Sequence, residues 1–295
     1  MKISPSRITK YMDCPRQYYY AYEMGIQQQI KPAALPFGKA CHEGIEYFLR
    51  EQASAGDVNV DDVVDTFNNA WKNALEEQAM QFPAGWSPED LADTGRSLMA
   101  QFPDYWNRQQ LAPVLDNHGE PMVEKHLTGK IGGQACQCVI DLVALNAEGE
   151  VVVVDWKTPA QQSPDGFEDV SDQLTLNLEL LSLNMPDLGL DGLPIGGAGY
   201  AELLKRKVPK KGGKGVGPHI LDPVLAAPRS PEMRQDFFDR LNLVAEGIAN
   251  KRFPRNPRMA FNTPCQMCDF RDYCIRGDSE GLAFPAEQQQ QAAIA

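Results

Sequence analysis

No run of eighteen apolar residues occurs in this 295-residue chain, which excludes a helix that spans a membrane. The opening Met1 to Ser6 carries no signal-peptide hydrophobic stretch, so a cytoplasmic location is expected. No G-x4-G-K-[S/T] segment exists; Gly212-Gly213-Lys214-Gly215 lacks the hydroxyl residue and the strand-loop-helix setting, so the chain has no nucleotide-driven motor of its own. Positive charge is short, with 28 Lys and Arg against 40 Asp and Glu and a net charge of -12, which argues against diffuse attraction to a phosphate backbone. The seven cysteines, an odd number without an export signal, favour thiols or metal ligands over a disulfide framework. There is no internal repeat.

Ten of these positive residues lie in two short windows. Lys205, Arg206, Lys207, Lys210, Lys211 and Lys214 fall within ten residues, and Lys251, Arg252, Arg255 and Arg258 within eight, with no acid inside either window. Such focusing suits a groove or flap that grips a backbone, and the alternative for Lys205 to Gly217 is a solvated flexible loop. With 43% hydrophobic residues the chain can bury a sizeable core.

Two apolar runs end in acids. Asp141 follows Cys138-Val139-Ile140, and Asp155 follows Val151-Val152-Val153-Val154, with Ala144 to Gly149 as the expected turn between two paired strands. The pairing brings both carboxylates to one sheet edge, where they repel unless a hard divalent ion such as Mg²⁺ or Mn²⁺ lies between them. Such an ion would hold a scissile phosphate and acidify a water. Lys157, on the same strand face as Asp155, could stabilise developing negative charge. It is the sole lysine of the chain with an acid two positions before it.

Around these strands the pattern alternates. Ser4 or Ser6 can cap a short helix through Met12, Pro15 can start another, and helices are expected over Phe37 to Arg50, near 60 to 80 and over 88 to 110. The region 120 to 156 has strand character and contains Glu124. Phe167 to Asn184 reads as an amphipathic helix bearing Gln173, Ala198 to Lys207 and a run near Ile220 as strands, and Ser230 to Asn250 as a last helix. This predicts a mixed α/β core with a helical flank. One domain over 1–277 is expected, with a helical flank at 25–115, a core at 120–250 and a disordered Gln-rich tail at 278–295.

Cys265-x2-Cys268-x5-Cys274 behind Pro264, joined by the distant Cys14, can supply four thiolates to zinc or to an iron-sulfur cluster and so staple the two ends of the chain together. Cys136 and Cys138 share one strand face and read as core, as does Cys41. Adjacent on a helix, Cys41 and His42 cannot face each other as a nucleophilic pair.

Together these residues resemble the PD-(D/E)XK nuclease superfamily, in its iron-sulfur RecB-like branch, which includes the AddB nuclease domain, exonucleases associated with CRISPR adaptation and phage-encoded relatives. The resemblance rests on Ser4-Pro5-Ser6-Arg7-Ile8-x2-Tyr11-x2-Cys14-Pro15-x2-Tyr18-x-Tyr20, Gly38-x3-His42-Glu43, Glu124, Ile140-Asp141, Asp155-x-Lys157, Gln173-Leu174 and the closing cysteines, and covers nearly the whole chain.

It implies a restriction-endonuclease-like mixed sheet, and His42, Asp141, Asp155 and the Trp156 carbonyl as ligands of Mg²⁺ or Mn²⁺. Asp141, Asp155, Lys157 and Gln173 would be catalytic, with Lys157 positioning water or stabilising the transition state and Gln173 orienting Lys157 or substrate. Cys14, Cys265, Cys268 and Cys274 would hold a structural [4Fe-4S] cluster between segments 1–24 and 253–277. Glu124 is either an acid behind the ligands or a solvent-facing strand residue. Where the family often has Tyr four residues after the Gln, this chain has Asn177.

The implied activity is that of a metal-dependent DNA exonuclease, acting on single strands or DNA ends in recombination, repair or phage replication. Processing of CRISPR spacer precursors and a non-catalytic DNA-binding scaffold are the alternatives. A separate helicase or recombination protein would be a natural partner, no membrane is involved, and oligomers, including rings as in some relatives, remain compatible.

Overall fold

A computed structural model describes residues 1–210, 213, 215–257 and 263–285. In chain order the helices are α1 (Pro5–Asp13), α2 (Pro15–Tyr18), α3 (Ala34–Ala55), α4 (Val60–Glu77), α5 (Pro88–Arg108), α6 (Asp172–Asn184), α7 (Pro231–Ala249) and α8 (Arg271–Arg276). The strands are β1 (Gln27–Gln28), β2 (Lys31–Pro32), β3 (Met80–Gln81), β4 (Ala112–Pro113), β5 (Val123–Ile131), β6 (Gln134–Leu145), β7 (Val151–Lys157), β8 (Ile195–Leu204), β9 (His219–Ile220), β10 (Val224–Ala226) and β11 (Leu282–Ala283).

Seven strands form one mixed sheet in the order β10-β8-β7-β6-β4, with β5 also on β6 and β9 also on β8. Only β7 and β8 run parallel within it. The four valines of β7 are all fully buried because that strand is covered on both faces. One face packs on α1, α6 and α7 through Ile8, Leu174, Leu181 and Phe237, the other on α3, α4 and α5 through Phe37, Phe67 and Phe102. Helix starts are set by local chemistry: Asn59 caps α4, Ser87 and Asp90 form a capping box on α5, Ser171 caps α6 and Ser230 caps α7. Among the described residues no helix is long and apolar enough to cross a membrane.

The expected turn between the acidic strands lies at Asn146 to Glu150, with Gly149 at φ 78°, because β6 runs on through Leu145. The helix expected from Phe167 begins only at Asp172. Ser171, with an extended backbone and its hydroxyl on the Leu174 N–H, starts the helix there and leaves Phe167 on the preceding loop.

The chain ends meet. β1 pairs with β11, and Tyr20, Ile26, Phe270 and Leu282 form a small separate core. Residues 278–285, expected as the start of a disordered tail, therefore carry a paired strand with a buried Leu282. The rest of that tail, 286–295, lies outside the described residues.

Candidate metal centre

The sheet changes faces where the acids sit. Residues two apart on a regular strand share a face, yet Ile140 packs into one core and Leu142 into the opposite one; on β5, Val123 and Leu127 divide the same way. The switch is accommodated at Glu124, a non-glycine residue at φ 49° between the rungs Val123–Leu142 and Lys125–Ile140, which places it beside Asp141. Asp141 and Asp155 lie one step beyond the rung Leu142–Val154, and Asp155 in turn is paired with Tyr200 of β8. Glu124, Asp141, Asp155 and Tyr200 thus form a row across four neighbouring strands.

His42 closes this row from α3. Its Nδ1 is 3.2 Å from Glu124 Oε1 and 3.7 Å from Asp141 Oδ2, and its Nε2 is 3.1 Å from the Trp156 carbonyl. His42, Glu124 and Asp141 present ligand atoms within 4.8 Å of one another, the one such group among the described residues. Asp141 Oδ2 also accepts the Trp156 N–H at 2.8 Å, which fixes the strand end that carries the carbonyl. Imidazole and carboxylate donors at this spacing fit a divalent ion, and the Trp156 carbonyl adds an oxygen of the hard type such ions prefer.

The electrostatics say the same. Burial, then the charge of Asp155, pushes Asp141 up to about 7. Asp155 is also raised by burial, against the lowering effect of Lys157. Burial works to lower His42, but its hydrogen bond to Glu124 and the charges of Asp141, Glu124 and Asp155 outweigh it and raise it to about 9. Crowded acids that need an imidazolium among them are a site short of positive charge, which a cation supplies.

Lys157 and Gln173 both lie against Asp155. Lys157 Nζ is 2.5 Å from Asp155 Oδ2 and 3.2 Å from Gln173 Oε1, while Gln173 Nε2 donates to Asp155 Oδ1 at 2.5 Å. Burial works to lower Lys157, but the charges of Asp155 and Asp141 and the hydrogen bond to Asp155 outweigh it and raise it. All four residues expected to be catalytic are therefore brought together, with His42 and the Trp156 carbonyl beside them. Glu124 is the member that sequence reasoning underrated, since nothing in its strand pattern announces a left-handed backbone. Asn177 is fully buried, with no hydrogen-bond partner for its amide among the described residues, so no substrate contact comes from that position.

The positive clusters are less free than their composition suggests. Lys205 turns inward, donating to the Thr158 carbonyl at 3.1 Å, and Lys207 pairs with Asp90 of α5 at 2.9 Å. Arg255 donates to Cys274 Sγ at 3.2 Å. Lys210, Lys251 and Arg252 are exposed; Lys211, Lys214 and Arg258 lie outside the described residues.

Cys14, Cys265, Cys268 and Cys274 line a single pocket of about 140 Å³ with Arg16, Tyr20 and Arg255. Among the described residues no three of their sulfurs come within 4.8 Å of one another, so they do not form a closed zinc tetrad, in which thiolates sit about 3.8 Å apart. Cys41, Cys136 and Cys138 are buried and are raised by that burial, as packed thiols.

The family model described as PD-(D/E)XK nuclease superfamily matches residues 2–275. Among solved structures the chain is similar to one described as "Crystal structure of SSO0001", at 11% identity over 93% of this chain and 85% of that one, with a TM-score of 0.39. No curated protein sequence matches the chain.

Proposed function

This chain belongs to the PD-(D/E)XK nuclease superfamily, and on that premise we propose that it is a metal-dependent DNA exonuclease of the iron-sulfur RecB-like branch, acting on single strands or frayed ends. The observation that carries the reading is the joint placement of His42, Glu124, Asp141, Asp155 and Lys157 at one break in the sheet. A scaffold that only clamps DNA needs no such crowding of buried acids around a lysine.

His42, Glu124, Asp141 and the Trp156 carbonyl would hold Mg²⁺ or Mn²⁺, with Asp155 as a further ligand on the Lys157 side. Such an ion supplies Lewis-acid activation of water and neutralises the phosphate. Lys157, held by Asp155 and Gln173, places a fixed ammonium where negative charge develops on the phosphate. Gln173 orients both partners through its two amide atoms. A groove of about 610 Å³ adjoins Gln173, lined by Ser4, Lys10, Thr128, Gln137 and Val139, and offers hydroxyl, amide and ammonium groups to a strand.

The cysteine pocket would take a [4Fe-4S] cluster. Its sulfurs are spread more widely than one zinc ion requires, and the buried Nε of Arg16, which has no hydrogen-bond partner among the described residues, and the Arg255 donor to Cys274 both suit an anionic group. The role would be structural, locking α2 and the β1–β11 pair against α8. Recombination, repair or phage replication, with a separate helicase, are the processes such an enzyme would serve.

Incubation with Mn²⁺ and end-labelled linear or closed circular single-stranded DNA tests the reading. Degradation of the linear strand alone is expected. Equal cutting of the circle would make the enzyme an endonuclease and refute the exonuclease assignment.

A further inference from the structure

The row of residues that forms the metal centre does not stop at Asp155. Its next member, Tyr200, is paired with Asp155 across the β7–β8 ladder, and Lys157 Nζ lies 5.3 Å from the centre of the Tyr200 ring. On that ring rests Phe167, with centroids 5.6 Å apart and planes 23° from parallel. Tyr200 is buried, but Phe167 keeps 46% of its surface exposed at the rim of the site.

An exposed phenylalanine on a loop ordinarily has freedom to turn away. Here its backbone is pinned on both sides. The Ser163 N–H donates to both oxygens of the buried Glu202 carboxylate, at 3.2 and 3.1 Å, and the Glu168 carbonyl accepts from Arg229 Nη2 at 2.5 Å. The Phe167 N–H itself donates to the Pro164 carbonyl at 3.2 Å. Beneath it, the Tyr200 hydroxyl is tied to Ser171 Oγ at 2.6 Å, which fixes the ring that Phe167 rests on. These bonds hold the loop backbone and the ring beneath Phe167, which lowers the ordering cost of a ligand that stacks there.

We propose that Phe167, seated on Tyr200, is a stacking platform for an unpaired nucleobase beside the scissile phosphate, and that it makes the site selective for single strands and frayed ends. The inference rests on the nuclease reading above and deepens it. A phosphate drawn to Lys157 carries its nucleoside with it, and Lys157 already touches the ring on which Phe167 stacks. A flat aromatic face serves every base alike because each base has a π-face, whereas a base inside a duplex is covered on both sides by its neighbours and has no face to offer.

The test compares kcat/KM in Mn²⁺ on a single-stranded oligonucleotide and on the same backbone built from abasic tetrahydrofuran units, for the wild type, F167A, F167L and F167W. The wild type should prefer the strand with bases by about 5- to 150-fold, the range that one base-aromatic stack provides. That preference should collapse towards unity in F167A and in F167L, which keeps apolar cover over Tyr200 without a π-face, and should persist in F167W. A wild type indifferent to the bases, or F167A and F167L variants that retain the full preference, would overturn the platform while leaving the nuclease reading in place. No cleavage of either strand by the wild type in any divalent metal would overturn both.

Discussion

Glu124 sits in a β-strand with φ 49°, and the carboxylate that this backbone presents reaches His42 Nδ1 at 3.2 Å. A left-handed conformation costs a residue with a Cβ roughly 1–2 kcal/mol, and glycine escapes that cost while losing about 0.5–1 kcal/mol of chain entropy. E124A and E124G remove the same charge from beside Asp141, so their difference isolates the backbone. E124G should be more stable than E124A by about 0.5–1 kcal/mol in urea unfolding of chelator-treated protein. Both should bind Mn²⁺ more weakly by about 10- to 100-fold in titration calorimetry, the loss expected when a group that holds or orients a metal-ligating histidine is removed. The strain argument fails if the alanine variant is as stable as the glycine variant. Wild-type Mn²⁺ affinity in both would place Glu124 outside the metal centre.

Metal binding should release protons. Asp141 near 7 and His42 near 9 both lie above their ordinary values, so at pH 7 the metal-free protein holds the His42 proton and part of the Asp141 proton and must shed them to make both groups ligands; affinity should rise with pH up to about 9. Calorimetry in buffers of different ionisation enthalpy would show this, and zero net release at pH 7 would contradict it. Lys157→Met should slow cleavage by about 10²- to 10³-fold in single turnover, with Mn²⁺ affinity kept or raised, because it removes a cation that competes for Asp155; lost metal binding at a preserved rate would reverse that assignment. Anaerobically purified wild-type protein should contain iron and sulfide, and Cys14→Ser should lose both and unfold at lower urea. A colourless, zinc-replete wild type would defeat the cluster.

The acidic strand ends and Lys157 were legible in the sequence because β7 and β6 are so apolar that a carboxylate at their ends is conspicuous. His42 was legible only by resemblance, since a helix pattern does not tell which neighbour an exposed-looking histidine meets across the fold. Glu124 escaped because its position depends on a face switch shared by β5 and β6, a property of the pair rather than of either strand. Phe167 was drawn into α6 by its apolar spacing, although Ser171-Asp172, a cap followed by an acid in the first turn, marks the true start. Charge counting leaves Lys205 and Lys207 open between a groove that grips a backbone and a solvated loop, because their partners, the Thr158 carbonyl and Asp90, come from elements far away in sequence.

Asp155 is 1% exposed and touches both Lys157 and Gln173, so the account depends on it more than on any other side chain. The direct measurement is the rate of nucleotide release from end-labelled linear single-stranded DNA in Mn²⁺, for the wild type and D155N side by side. Metal-dependent release by the wild type is expected, with a fall of about 10²- to 10³-fold or more in the variant. Equal release by both proteins, or none by the wild type in either Mg²⁺ or Mn²⁺, would contradict it.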